Sequence, residues 1–185
     1  MIEPTTAKRI KLVGFDVDGT MTDGGLYIGV LGGQPVELKR FDIQDGLGVH
    51  LLRAAGLPVV IVTGRGGEAA EVRARELQVD EFLADSSARK LPAFEGVLQR
   101  RGVRWEEAAF VGDDLPDLPI LRRVALPIAV ANAAREVKEA ARHTLSLTGG
   151  RGALREFAEM LLRSRGTWNE VVRNYLRERG DPLAR

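Results

Sequence analysis

Gly14-Phe15-Asp16-Val17-Asp18-Gly19-Thr20 ends the apolar run 10–15 with two carboxylates one residue apart and a glycine directly behind them. Residues two apart share one face of an extended strand, so Asp16 and Asp18 start out aimed the same way. Gly19 then permits a sharp turn, which can close both acids around one hard cation at the carboxyl edge of a sheet. An aspartate held against a cation can act as a nucleophile on phosphorus. A surface turn uses the same residue types, because Asp and Gly are common there. The rest of the chain separates the two readings, since three more polar signals follow apolar runs or open a helix in a fixed order.

Working outward, short apolar runs alternate with amphipathic stretches, the pattern of an α/β protein with a Rossmann-like parallel sheet flanked by helices. Strands are expected at 10–15, 58–62, 81–84, 108–111 and 125–129, with a short one near 144–147. Helices are expected at 45–55, with Asp45 as cap, and at 68–78, with Ala69, Val72 and Leu77 on one side. Others should span 88–101, 118–124, 135–142, 153–163 and 168–179. In the C-terminal set, Leu154, Phe157, Met160 and Leu161 form a core stripe, and the tail 178–185 should be mobile in an isolated subunit. Residues 24–41 break the alternation: Leu26-Tyr27-Ile28 and Val36-Glu37-Leu38 flank Gly32-Gly33 and read as a β-hairpin flap. Its exposed apolar residues would be an edge liability unless covered, and a partner subunit is the simplest cover.

The bulk properties narrow the classes of function. A chain of 185 residues, 44% hydrophobic and 29% charged, suits one domain over 1–185, with the flap at 24–41 and C-terminal helices and tail at 153–185. Lys+Arg of 27 against Asp+Glu of 26 leaves a net charge of +1, which gives no basic field for nucleic acid. The absence of cysteine removes thiol catalysis and Cys-based zinc sites, and two histidines, His50 and His143, exclude a multi-histidine metal site. No apolar run approaches the ~20 residues that span a bilayer, and residues 1–9 lack a signal's apolar core, so a cytoplasmic protein without a membrane partner is expected.

In an open parallel sheet ligands collect at the carboxyl ends of the strands. Residues at those ends are Asp16, Asp18 and Thr20, then Thr63, Gly64 and Arg65, then Gly112-Asp113-Asp114 with Asp117; Lys90 opens a helix. Acids, a hydroxyl, a lysine and an arginine on one edge describe a site for a phosphate ester and a divalent cation. Asp16 would attack phosphorus, while Asp18 would protonate the departing alkoxide and then deprotonate water. Asp113 would complete the shell of a cation, with Mg2+ favoured by an all-oxygen donor set. Thr63 and the amides beside Gly64 would donate to phosphate oxygens, and Lys90 would supply positive charge. Taken singly, each has an ordinary structural use as turn, surface lysine or helix cap.

Asp16-Val-Asp18-Gly-Thr20, Thr63, Lys90 and Gly112-Asp113-Asp114-x-x-Asp117 together resemble the haloacid dehalogenase superfamily of aspartate-nucleophile phosphotransferases. The resemblance implies that Asp16 is the nucleophile, that Asp18 is the acid/base and offers its backbone carbonyl to magnesium, and that Asp113 is a metal ligand. Neither of the usual insertion points has room for a cap domain. Thr22-Asp23-Gly24, Phe41-x-x-x-Asp45-Gly46, Thr63-Gly64-Arg65 and Gly149-Gly150-Arg151-Gly152-Ala153 extend the similarity to the capless tetrameric group typified by 3-deoxy-D-manno-octulosonate 8-phosphate phosphatases. That group implies a homotetramer assembled by the hairpins, with C-terminal tails that can reach an adjacent site and with a place in lipopolysaccharide synthesis. It implies substrate contacts at Asp18, Asp42, Asp45, Gly46, Gly64, Arg65, Arg73 and Lys90. Gln44 and His50 stand where arginines are often found in the group. Arg65 favours the octulosonate ester over a nonulosonate 9-phosphate; a broad-specificity sugar phosphatase and a non-catalytic binding protein are the other readings.

Overall fold

A computed structural model describes residues 1–183. The chain opens with α1 (Pro4–Arg9) and β1 (Leu12–Phe15), then makes a hairpin of β2 (Tyr27–Leu31) and β3 (Gln34–Leu38). Next come α2 (Ile43–Ala54), β4 (Val59–Thr63), α3 (Glu68–Glu76), β5 (Glu81–Ala84) and α4 (Lys90–Arg101). The second half runs β6 (Ala108–Gly112), α5 (Leu118–Leu121), β7 (Leu126–Ala129), α6 (Arg135–Ala140), β8 (His143–Thr144), α7 (Ala153–Arg165) and α8 (Trp168–Glu178).

Six strands form one parallel sheet in the order β5-β4-β1-β6-β7-β8. After β1 the chain moves outward through β4 to β5, then returns across β1 to build β6, β7 and β8. Right-handed crossovers on the way out and on the way back therefore cover opposite faces of the sheet, and α7, after the last strand, returns to the face that α2 covers. One layer holds α7 packed on α1, α2 and α8, and α4, α5 and α6 pack together in the other. Every residue of β1, β4, β6 and β7 is buried, as strands covered on both faces require. Phe15 meets Phe157 of α7 edge-on at 6.0 Å, and Phe110 meets Phe94 of α4 at 5.4 Å. The reversal of strand order at β1 opens a crevice at its carboxyl end, which is where Asp16 lies.

The hairpin turns at Gly32-Gly33, both with positive φ (57° and 79°), which matches the twist of a two-residue turn. It stands apart from the main sheet, with Ile28 at 70%, Val30 at 75% and Leu31 at 74% exposure.

Several boundaries differ from expectation for identifiable reasons. The second helix begins at Ile43 rather than 45, because Asp42, not Asp45, caps it by accepting from the Gln44 amide at 2.7 Å. Expected at 88, α4 starts at Lys90, because Ala88 takes a left-handed φ of 55°. On α3 the buried residues are Ala70 and Ala74; of the expected side, Leu77 packs partly buried against the core, whereas Val72 is 53% exposed. Helix α1 was not expected at all; Pro4 in its first turn was the available signal. Of the C-terminal stripe, Leu154, Phe157 and Leu161 are fully buried and Met160 partly so. Within the tail expected to be mobile, Ala184 and Arg185 lie outside the described residues.

Candidate active site

Asp16 follows β1 directly and is 5% exposed. Its Oδ1 is 2.6 Å from Lys90 Nζ, at the start of α4. The same ammonium sits 2.8 Å from Oδ1 of Asp117, which is fully buried. Asp117 Oδ2 accepts from the amides of Asp113 and Asp114 at 3.0 and 3.4 Å, holding the turn after β6 closed. Thr20 Oγ1 donates to Asp113 Oδ1 at 3.0 Å. Gly19, at φ 85°, passes so close that a Cβ there would collide with the Asp113 carboxylate. Asn132 ties the next layer together, donating to the Gly19 carbonyl at 3.0 Å and accepting from the Gly149 amide at 2.7 Å.

Asp16, Asp113 and Asp117 offer carboxylate oxygens that all lie within 4.8 Å of one another. Three carboxylates facing one ammonium leave a formal excess of two negative charges in a buried space. Such a charge is costly without compensation, and a divalent cation matches it. Because Lys90 and two amides already engage both oxygens of Asp117, the oxygens left for a cation belong to Asp16 and Asp113. All donors are hard oxygens, which suits Mg2+.

The electrostatics carry the same strain. Burial, then the Asp117 charge, pushes Asp16 well above the usual carboxylate range. Burial alone would pull the Lys90 ammonium down, but Asp16 and Asp117 outweigh it and raise it. Asp113 is pushed up to about 6, by burial first and Asp117 second. An acid whose folded value is raised favours the folded state at low pH; that contribution fades as pH rises through about 6. A cation binds the ionised form, so the rise in melting temperature on adding Mg2+ should be larger at about pH 7.5 than at about pH 5. Equal shifts at both values would remove Asp113 from the ion's shell.

A cavity of about 230 Å³ is lined by Asp16, Asp18, Thr63, Gly64, Arg65, Ala88, Lys90, Asp113, Asp114 and Pro116. Thr63 Oγ1 accepts from the Arg65 amide at 3.1 Å, which folds the turn after β4 over the carboxyl edge. Asp18 does not join the carboxylate cluster, contrary to the expectation that both acids close on one cation. Its Oδ1 instead accepts from Lys39, which follows β3.

Four expected substrate contacts lie outside this cavity in the single chain. Asp45 is 3% exposed and accepts from the Gly152 and Arg155 amides at 3.1 and 3.0 Å, capping α7. Gly46 is buried beneath the Arg73 guanidinium. Arg73 donates to the Asp42 carbonyl at 3.0 Å, pairs with Glu76 at 2.8 Å and lies over the Phe41 ring. Asp42 caps α2, and His50 packs edge-on against Tyr175 at 5.5 Å. Their common reason is that the turn after Phe41 is used to dock α2 against α3 and α7. Asp45→Ala should therefore cost about 1–3 kcal/mol of stability through two orphaned amides, with kcat/KM unchanged in the folded protein; urea unfolding and phosphate release check both. A selective rise in KM would restore Asp45 as a substrate contact.

Asp117, Lys39 and Asn132 were given no task from sequence. Asp117 was visible in the motif, but nothing local links it to Lys90, 27 residues earlier.

A family model described as haloacid dehalogenase-like hydrolase matches residues 83–152. The 3-deoxy-D-manno-octulosonate 8-phosphate phosphatase of Salmonella typhi is 37% identical over 167 residues, covering 90% of this chain and 87% of that protein. A Legionella pneumophila structure described as a putative hydrolase of haloacid dehalogenase subfamily III A aligns at TM-score 0.88 and 36% identity, over 94% of this chain and 93% of that one. The Moraxella catarrhalis 3-deoxy-D-manno-octulosonate 8-phosphate phosphatase, solved with a magnesium ion, a phosphate ion and the sugar acid, aligns at 0.86 and 32% identity, over 93% and 97%.

Proposed function

The chain belongs to the 3-deoxy-D-manno-octulosonate 8-phosphate phosphatases of the haloacid dehalogenase-like hydrolases, and on that premise we propose that it hydrolyses this ester with Mg2+ to the free sugar acid and phosphate. The observation that carries the reading is the buried Asp16–Lys90–Asp117 ion cluster beside Asp113, with Asp16, Lys90 and Asp113 lining a cavity of about 230 Å³.

An Asp16 carboxylate oxygen attacks phosphorus in line with the ester oxygen, forming an aspartyl phosphate as the P–O bond to the sugar breaks. The departing oxygen takes a proton from Asp18. Water then gives a proton back to Asp18 and attacks phosphorus; the bond to Asp16 breaks and phosphate leaves. Lys90 balances charge on the phosphoryl oxygens, while Thr63 and the Gly64 amide donate to them. Asp16, Asp113 and the Asp18 backbone carbonyl would hold a Mg2+ ion, whose charge would offset theirs and polarise the phosphoryl group.

At about 230 Å³ the cavity falls below the ~300–1,000 Å³ of a typical ligand pocket, so most of an eight-carbon acid would extend out of it, past Arg65 on its wall and toward the hairpin. A homotetramer would close that side, and the exposed hairpin residues Ile28, Val30 and Leu31 supply the apolar surface for it; sedimentation analysis giving the mass of four chains checks this. We place the reaction in the cytoplasm, upstream of lipopolysaccharide assembly; no helix among the described residues is long and apolar enough to cross a membrane.

The deciding experiment is phosphate release with Mg2+ from octulosonate 8-phosphate, nonulosonate 9-phosphates and hexose phosphates. A kcat/KM at least about 100-fold higher for the octulosonate ester is expected. Similar values across the panel would make the enzyme a generalist, and no release at all would leave a binding role.

A further inference from the structure

We propose that Lys39, on the hairpin, is a positioning residue for the reaction: it holds the Asp18 carboxylate so that its second oxygen faces the departing ester oxygen. This rests on the proposed aspartyl-phosphate chemistry, and it gives the flap a task beyond any packing between subunits.

The hairpin is otherwise a solvent-exposed element, yet the Lys39 side chain is 3% exposed, as buried as Lys90 at 4%. A lysine gives up rotamer freedom and hydration when buried, and does so only against a partner. Its partner is Asp18 Oδ1. Among the described residues, no other side chain hydrogen-bonds the Asp18 carboxylate. That carboxylate is 31% exposed on the cavity wall, free to swing into water without Lys39.

Lys39 is itself fixed from behind. Glu37, two residues earlier, approaches its Nζ at 3.4 Å and accepts from Arg65 Nη2 at 2.8 Å. The chain Asp18–Lys39–Glu37–Arg65 thus bridges the turn after β1 and the turn after β4 by way of the flap. At the hairpin's foot, Arg40 donates to the Gly150 carbonyl at 2.6 Å and Thr22 bridges to Phe41. These contacts tie the base of the flap to the same edge of the sheet. With Oδ1 engaged by Lys39, Oδ2 of Asp18 is left to exchange a proton with the ester oxygen.

Proton delivery matters when the leaving group is an alkoxide and hardly at all when it is a nitrophenolate. The test therefore compares kcat/KM, which reports steps up to leaving-group departure, for octulosonate 8-phosphate, a hexose 6-phosphate and p-nitrophenyl phosphate. In Lys39→Met the two sugar esters should each lose about 30-fold and the aryl ester less than about 3-fold. Lys39→Arg should recover the sugar esters to within about 5-fold of wild type. Turnover of the aryl ester by Lys39→Met also reports that the site is folded. Equal losses on all three substrates would make Lys39 a structural residue, and loss on the octulosonate ester alone would make it a sugar-acid contact; either overturns the proposal. If the unaltered protein ignores octulosonate 8-phosphate yet cleaves the other two esters, the substrate reading fails while the leaving-group comparison still stands or falls on its own.

Discussion

Asp16→Asn is expected to lower phosphate release by about 10⁴-fold or more while leaving the metal-free protein as stable as before, or more so, at pH 7. An amide of the same shape cannot donate the electron pair that forms the aspartyl phosphate. Lys90 keeps Asp117 as its partner, so the ion cluster survives the change. Because burial raises Asp16 well above its usual range, ionising it opposes folding at neutral pH. By linkage, that penalty is absent at low pH and grows as pH rises through the folded value. The gain in melting temperature from asparagine should accordingly shrink as the pH is lowered. Turnover within about 100-fold of wild type would remove Asp16 from the nucleophile's role.

Lys90→Met is expected to be costly twice over. Removing one partner of a buried ion pair leaves an uncompensated charge, worth about 3–5 kcal/mol, and here a single ammonium serves both Asp16 and Asp117. The same change removes the positive charge facing the phosphoryl oxygens, for a loss of about 10²–10³ in kcat. The two effects are separable. Saturating Mg2+ in urea unfolding should restore part of the stability, since the ion offsets the same carboxylates, but it should not restore kcat. A Lys90→Met protein as stable as wild type without Mg2+ would contradict the ion cluster as described.

The contrast between Asp16 and Asp45 shows how far local pattern reaches. Both are acids after or within an apolar stretch, and both were assigned to the site. Asp16 was legible because a strand, a second acid and Gly19 lie within four residues of it, and turn chemistry is local. For Asp45 the sequence suggests a substrate contact, but in the chain its carboxylate is taken up by the amides of Gly152 and Arg155, 107 and 110 residues away. Nothing in the sequence around Asp45 announces that α7 will begin above it. Lys39 is the reverse case, an unremarked residue of the flap that burial and a single ion pair bring to the active edge.

By itself the sequence determined the strands, the parallel α/β class, the hairpin and the order in which the acids, Thr63 and Lys90 appear, because apolar period, glycine turns and helix starts are set by neighbours in the chain. Only the tertiary structure decided which charges meet. Reversal of strand order at β1 sets the carboxyl ends of β1, β4 and β6 side by side, so that Lys90 bridges Asp16 and Asp117 and Asp18 is left to Lys39. In a buried space of low dielectric such pairings are chosen by desolvation and charge balance among residues far apart in sequence, and these depend on the packed geometry rather than on any local pattern.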